Sequence, residues 1–289
     1  MRIWFAIVVC LLAGVATSAQ SIPSAIYTDP AGDPAHPAGM TVLHSPSHGV
    51  LINGLIYRPS GPGLHPTLVI CHGLPGNEKN LDLAQAVRRA GWNAVTFNYR
   101  GSWGSPGDFR FAQNPDDADA VLAYLRDPAN AAMLGIDTKR IAIAGHSMGG
   151  WVTAHTAAHD HGLIGAILIS AADMGHMGQG VGSREQLVSL MADNMESLNG
   201  VTAETMADEV IANAKTFSFD RTVDGLTQIP LLVLSADDGL APGTDALVSA
   251  VRAKGGQKVT SVHVATDHSW SDRRICLEST IITWLAELK

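Results

Sequence analysis

Cysteine is scarce. Three residues in a chain of 289 are too few to hold a fold together as a disulfide framework. Cys10 falls in an apolar opening stretch, which leaves Cys71 and Cys276. A single bridge between those two stays open on the sequence alone. Cys71 closes an apolar run, where a buried free thiol is the commoner state. Charge is sparse as well: 16% of residues are charged and the net charge is −8, with no long basic run. That argues against a nucleic-acid partner. No internal repeat or low-complexity tract occurs, which excludes repeat and fibrous architectures. After the opening stretch, nothing has the length of a membrane span.

What is present is a chain with 46% hydrophobic residues, enough for one large α/β domain or two small ones. Met1-Arg2, the apolar Ile3–Val15 and the small residues Thr17-Ser18-Ala19 have the layout of a signal peptide, with cleavage expected after Ala19. Residues 1–19 therefore predict export, to a periplasm or the medium. Cys10 lacks the context of a lipoprotein cysteine. Residues 20–39 carry four prolines among small polar residues and predict an extended lead-in. From residue 40 onward, strand patterns near 40–45, 50–58, 67–71, 93–98, 140–144, 163–170, 231–235 and 259–264 alternate with helical ones. Helices are expected at 81–89, 114–126, 243–254 and 271–287, the second with Asn114 as its cap and Pro115 at its first position. This alternation predicts a mostly parallel sheet covered on both faces. Residues 173–228 break the rhythm. More than fifty residues separate two strands there, and five of the chain's methionines fall among them. A small helical insertion is expected, either simply packed or forming an adaptable apolar lid over a substrate pocket.

Gly145-His146-Ser147-Met148-Gly149-Gly150 follows a strand pattern and precedes a helical one. A G-x-S-x-G sequence in that context predicts a sharp turn that presents Ser147 at the carboxyl edge of the sheet. A nucleophilic serine needs a base, an acid to orient the base, and oxyanion donors. His268 suits the base, because it follows the last strand and precedes the closing helix. Asp238 suits the acid, in the loop leaving the strand at 231–235, with Asp237 and Asp173 as alternatives. The backbone N–H groups of Met148 and of Leu74, in His72-Gly73-Leu74-Pro75, suit the oxyanion hole; Pro75 has no N–H to offer. His155 and His159 stand four apart on one helix, a spacing that suits a metal, but the segment lacks the glutamate of a zinc-protease helix. No metal and no cofactor are expected.

Together with Asn98-Tyr99-Arg100-Gly101 and the spacing of Asp238 to Pro242, these residues resemble the α/β-hydrolase superfamily, over roughly Thr41 to Lys289. Within it the chain is most similar to exported esterases and to the catalytic domains of prolyl-oligopeptidase-like acyl-peptide hydrolases. The resemblance implies an eight-stranded sheet with an antiparallel second strand, helices on both faces, and a cap insertion at about 173–228. It implies a serine hydrolase of carboxylic esters working through an acyl-enzyme on a small-molecule or short peptide-like substrate. A peptidase or amidase is the alternative, and a non-catalytic binding protein of the same fold is a further one.

Overall fold

The apolar runs become eight strands: β1 (Gly39–Ser47), β2 (Val50–Arg58), β3 (His65–Cys71), β4 (Asn93–Phe97), β5 (Ile136–His146), β6 (Leu163–Ile169), β7 (Leu231–Ala236) and β8 (Val259–Val264). They form one sheet in the order β1-β2-β4-β3-β5-β6-β7-β8. β2 runs antiparallel to both β1 and β4, and every other neighbouring pair is parallel. The structure, a computed structural model, describes residues 22–179 and 182–288. The leader expected over residues 1–19 lies outside the described residues.

The period of two along each strand sends alternate side chains to opposite faces. In β3, Val69 and Cys71 enter one core while Leu68 and Ile70 enter the other. A strand buried on both faces must be apolar throughout, which is why the central strands read as unbroken hydrophobic runs. The helices, in chain order, are α1 (Leu81–Arg89), α2 (Asn114–Arg126), α3 (Pro128–Leu134), α4 (Met148–His159), α5 (Met174–Gly178), α6 (Arg184–Ala192), α7 (Ala203–Ala212), α8 (Val223–Leu226), α9 (Ala241–Ala253) and α10 (Arg274–Glu287). α1 and α10 cover one face through Leu83, Val87, Leu277, Ile281 and Trp284. α2, α4 and α9 cover the other, with α5–α8 continuous with that core. Among the described residues no helix is long and apolar enough to cross a membrane.

Four local features depart from the sequence reading. Asn114 is not a cap: a 3₁₀ turn over Phe111–Gln113 runs straight into α2, and the buried Asn114 amide donates to Met148 Sδ at 3.4 Å. β5 starts earlier than expected, at Ile136, because Gly135 ends α3 in the left-handed region and feeds the strand directly. α3 itself has no counterpart in the periodicity. The lead-in is docked: Ala25 packs on Ala86 of α1 and Ile282 of α10, and the Arg89 guanidinium donates to the Ala25 carbonyl. Cys71 and Cys276 are both free thiols, one buried and one exposed. Burial pushes the Cys71 thiol up to about 12.

Candidate active site

Ser147 sits between the last residue of β5 and the first of α4, at φ 59° and ψ −123°. Non-glycine residues seldom adopt such a backbone, and the surroundings must impose it. They do so with hydrogen bonds. Ser147 N–H donates to the Ile169 carbonyl at 2.9 Å, and its own carbonyl accepts from Gly150 at 3.0 Å and Ala172 at 3.1 Å. A Cβ on Gly145 would overlap the Gly149 carbonyl, and one on Gly149 would overlap the Cys71 carbonyl, so the turn closes only with glycine at both. The Met148 N–H stands at the first position of α4, where no intrahelical acceptor exists.

His268 and Asp238 meet. The imidazole Nδ1–H donates to Asp238 Oδ2 at 2.8 Å. The Asp238 side chain is 3% exposed and that of His268 is 39% exposed. Burial alone would raise the Asp238 pKa, but hydrogen bonds from His268, from the Leu240 N–H and from Ser170 outweigh it and hold the carboxyl below its ordinary value. The carboxylate is therefore ionised at neutral pH and keeps the His268 proton on Nδ1, leaving Nε2 bare. The Ser147 hydroxyl is half-buried and makes no hydrogen bond with a described residue. The elbow and the His268 loop are joined through His146, whose Nε2 lies 2.8 Å from the His268 carbonyl.

The segment after β3 lies directly against the elbow: a Cβ on Gly73 would come to 3.0 Å from Ser147 Cβ. Its shape is held from several sides. His72 Nδ1–H donates to the Gly73 carbonyl at 2.7 Å, and the Tyr99 hydroxyl donates to the His72 carbonyl at 3.2 Å. The Trp103 indole N–H and the Ser197 hydroxyl both donate to the Pro75 carbonyl, at 2.7 and 3.0 Å. Burial lowers the His72 pKa to about 4, so this ring is neutral at catalytic pH. Leu74 and Met148 are thus backbone donors on the two segments that flank Ser147.

The rival residues have other partners. Asp237 is exposed and pairs with His263 Nε2 at 3.0 Å. Asp173 caps α5, accepting from Gly175 at 3.0 Å, His176 at 3.1 Å and Phe219 at 3.3 Å. His155 lies against the Trp151 ring and the Phe217 carbonyl, while His159 turns to Asp119. Among the described residues no cluster of three or more His, Cys, Asp or Glu side chains is placed to hold a metal.

Three residues near the pair were given no role from the sequence, although His146 lies within the elbow motif. Trp270 is buried and donates its indole N–H to Ser170 Oγ at 3.0 Å, and Ser170 is among the groups that lower the Asp238 pKa. Both have positive φ, 59° at Trp270 and 42° at Ser170. His146 reaches across to the main chain of His268. The positive φ of Ser170 and Trp270 and the contact of His146 with His268 are not visible in a sequence.

The α/β-hydrolase family model matches residues 68–275. No curated protein sequence matches the chain. Among solved structures, the hyperthermophilic esterase of the archaeon Pyrobaculum calidifontis aligns at 20% identity with a TM-score of 0.63, over 87% of this chain and 86% of that one. Est1E from Butyrivibrio proteoclasticus, solved with ferulic acid bound, aligns at 18% identity and 0.68, over 86% and 98%. The acylaminoacyl peptidase of Pyrococcus horikoshii aligns at 17% and 0.67, over 87% of this chain but 41% of that larger one. At these identities the likeness is one of fold. The family match spans strands β3 to β8 and the whole Ser147–Asp238–His268 region, and the chain belongs to the α/β-hydrolase family.

Proposed function

We propose that this protein is a serine hydrolase of carboxylic esters, with Ser147 as nucleophile, His268 as base and Asp238 as the acid that orients it. The observation that carries the reading is the 2.8 Å contact between His268 Nδ1 and the buried Asp238 carboxylate, beside a serine held at positive φ. Nε2 of His268 takes the proton as Ser147 Oγ attacks the ester carbonyl. The tetrahedral oxyanion is met by the N–H groups of Leu74 and Met148, and Nε2–H then protonates the departing alcohol. Water attacks the acyl-enzyme with the same base, which returns the free serine. Each role falls to a group of this chain, with no cofactor. Residues 1–19 support export of the enzyme before it acts.

The insertion between β6 and β7 is read as a cap. Met174, Met191 and Met206 are buried inside it, which makes them packing residues. Met177 instead lines a cavity of about 320 Å³ together with Leu187, Leu190, Leu240 and Pro242, next to the Asp238 loop. A mostly apolar space there suits an acyl or alcohol chain. Fluorophosphonate labelling tests the nucleophile, since a folded protein that stays unlabelled would be a binding scaffold instead. Side-by-side turnover of short p-nitrophenyl esters and aminoacyl amides tests the bond. Faster amide turnover would move the assignment to a peptidase, a reading that the acylaminoacyl peptidase likeness keeps in view.

A further inference from the structure

His146, between Gly145 and Ser147 in the elbow, is buried against the His268 ring. The residue is 4% exposed, and its Nε2 lies 2.8 Å from the main-chain carbonyl of His268. The two imidazoles pack with centroids 4.6 Å apart at 45°. We propose that His146 is a positioning residue that holds the backbone of His268, and so sets where the His268 imidazole stands relative to Ser147. The proposal rests on the serine-hydrolase reading above.

The chemistry of the contact is determined. A carbonyl oxygen only accepts, so the ring must present a proton on Nε2. Burial, with His268 and Arg274 nearby, lowers the His146 pKa to about 4, against the opposing pull of the carbonyl contact and of Asp238. The ring is therefore neutral at working pH, with Nε2–H toward His268 and Nδ1 bare toward Gly73. Neutrality matters because His268 becomes an imidazolium in the transition state, and a cation packed on its face would oppose that. The contact also has leverage. His146 is the chain neighbour of Ser147, and His268 lies 122 positions downstream. One hydrogen bond thus ties the strand that delivers the nucleophile to the loop that delivers the base. The loop's remaining ties do not do this. The Trp270 indole reaches Ser170 after β6, and the His268 imidazole and the Thr266 carbonyl reach Asp238 and Asp237 after β7. The Arg274 bond to the Ser269 carbonyl at 3.1 Å and the Ser271 N–H bond to Asp267 at 2.8 Å stay within the loop and α10.

The test uses the full enzyme with His146→Leu, which keeps bulk but no donor, and His146→Gln, whose amide nitrogen reaches the same distance along the side chain. Misplacing a base by about 1 Å costs up to about 100-fold. His146→Leu should therefore lower kcat by about 10- to 100-fold with KM within about twofold of wild type. His146→Gln should restore kcat to within about threefold of wild type. Active-site titration with a fluorophosphonate should reach the wild-type endpoint in both variants, slowly in His146→Leu. The proposal is overturned if His146→Leu keeps wild-type kcat, or if His146→Gln is as slow as His146→Leu. It is equally overturned if the lost activity is a lowered endpoint with wild-type kcat per labelled site, because that reports only a misfolded fraction. Failure of the serine-hydrolase reading looks different: the wild-type enzyme itself would not label.

Discussion

Two histidine–aspartate pairs stand at the β7–β8 end of the sheet, with their aspartates adjacent in sequence. Asp238 and His268 are 2.8 Å apart, and Asp237 and His263 are 3.0 Å apart. Contact distance does not separate them. Surroundings do. In the first pair the side chain of Asp238 is 3% exposed and also accepts from the Leu240 N–H at 2.9 Å. In the second the side chains are 62% and 51% exposed, and His263 sits on the edge strand with Ser235 as its one further side-chain partner among the described residues. Water screens the outer pair and competes for both of its members, so holding that geometry gains almost nothing. The inner pair exchanges hydration for fixed dipoles aimed at one ionisation state. The two aspartates lie in the turn that follows β7, which buries the side chain of Asp238 and leaves that of Asp237 exposed.

The strongest way to separate the pairs is to remove what the inner one serves. Ser147→Ala should lower ester turnover by about 10³- to 10⁶-fold, leaving only binding and the oxyanion donors. Its melting temperature should stay close to wild type, because Ser147 packs little and its hydroxyl has no partner to lose. Near-wild-type turnover at matched folded concentration would end the mechanism. Asp238→Asn is the next largest cut. It keeps the size of the side chain but removes the charge that stabilises the imidazolium and fixes the tautomer. The expected loss is about 10²- to 10⁴-fold in kcat, not recovered at high substrate.

The family's architecture was legible in the sequence because it depends on local pattern. Unbroken apolar runs mark strands covered on both faces, and Gly145-x-Ser147-x-Gly149 marks a turn whose crowding admits no other residue at its ends. α3 was not legible: Pro128 to Leu134 is seven residues, too short to establish a helical period. Asn114 misled because Asn before Pro is a cap signal, yet the preceding 3₁₀ turn already supplies helical backbone. Spacing to Pro242 favoured Asp238 over Asp237, but spacing does not show which of two adjacent carboxylates is buried against an imidazole. His146, Ser170 and Trp270 were invisible as partners because their contacts join segments about a hundred residues apart.

Titration sharpens the contrast between the inner aspartate and the third candidate, Asp173. The Asp238 carboxyl is held below its ordinary value in the folded protein. Its stabilising contribution is therefore complete above the unfolded value, near pH 4, and is lost as pH falls through the lowered folded value. Asp173 has the opposite sign: burial raises it, against hydrogen bonds from His176, Phe219 and Gly175. For that residue the protonated form favours folding, and its ionisation costs stability as pH rises through the raised value. Thermal melts between about pH 6 and pH 3 should show the stability gap between wild type and Asp238→Asn narrowing with acid. Over the same range wild type should gain on Asp173→Asn. Parallel slopes for the two variants would show that the two carboxyls do not differ in this way.

The smallest expected effect is the most demanding of the comparison, because it predicts that a well-formed ion pair does nothing. Asp237→Asn removes the charge that faces His263 at 3.0 Å. Both partners are more than half exposed, so a pair of this kind contributes about 0–1 kcal/mol and is screened further by salt. The Asp237 N–H, which donates to the Thr266 carbonyl at 3.1 Å and helps seat the loop before His268, is backbone and survives the substitution. Asn can also still accept from His263. Turnover should therefore stay within about twofold of wild type, and the melting temperature should shift by no more than about 2–4 °C. Asp237→Pro is the informative contrast: it deletes that N–H and should disturb the loop that carries His268. If Asp237→Asn instead loses activity on the scale expected for Asp238→Asn, while Asp238→Asn stays active, the outer pair is the functional one and burial is the wrong criterion for choosing between them.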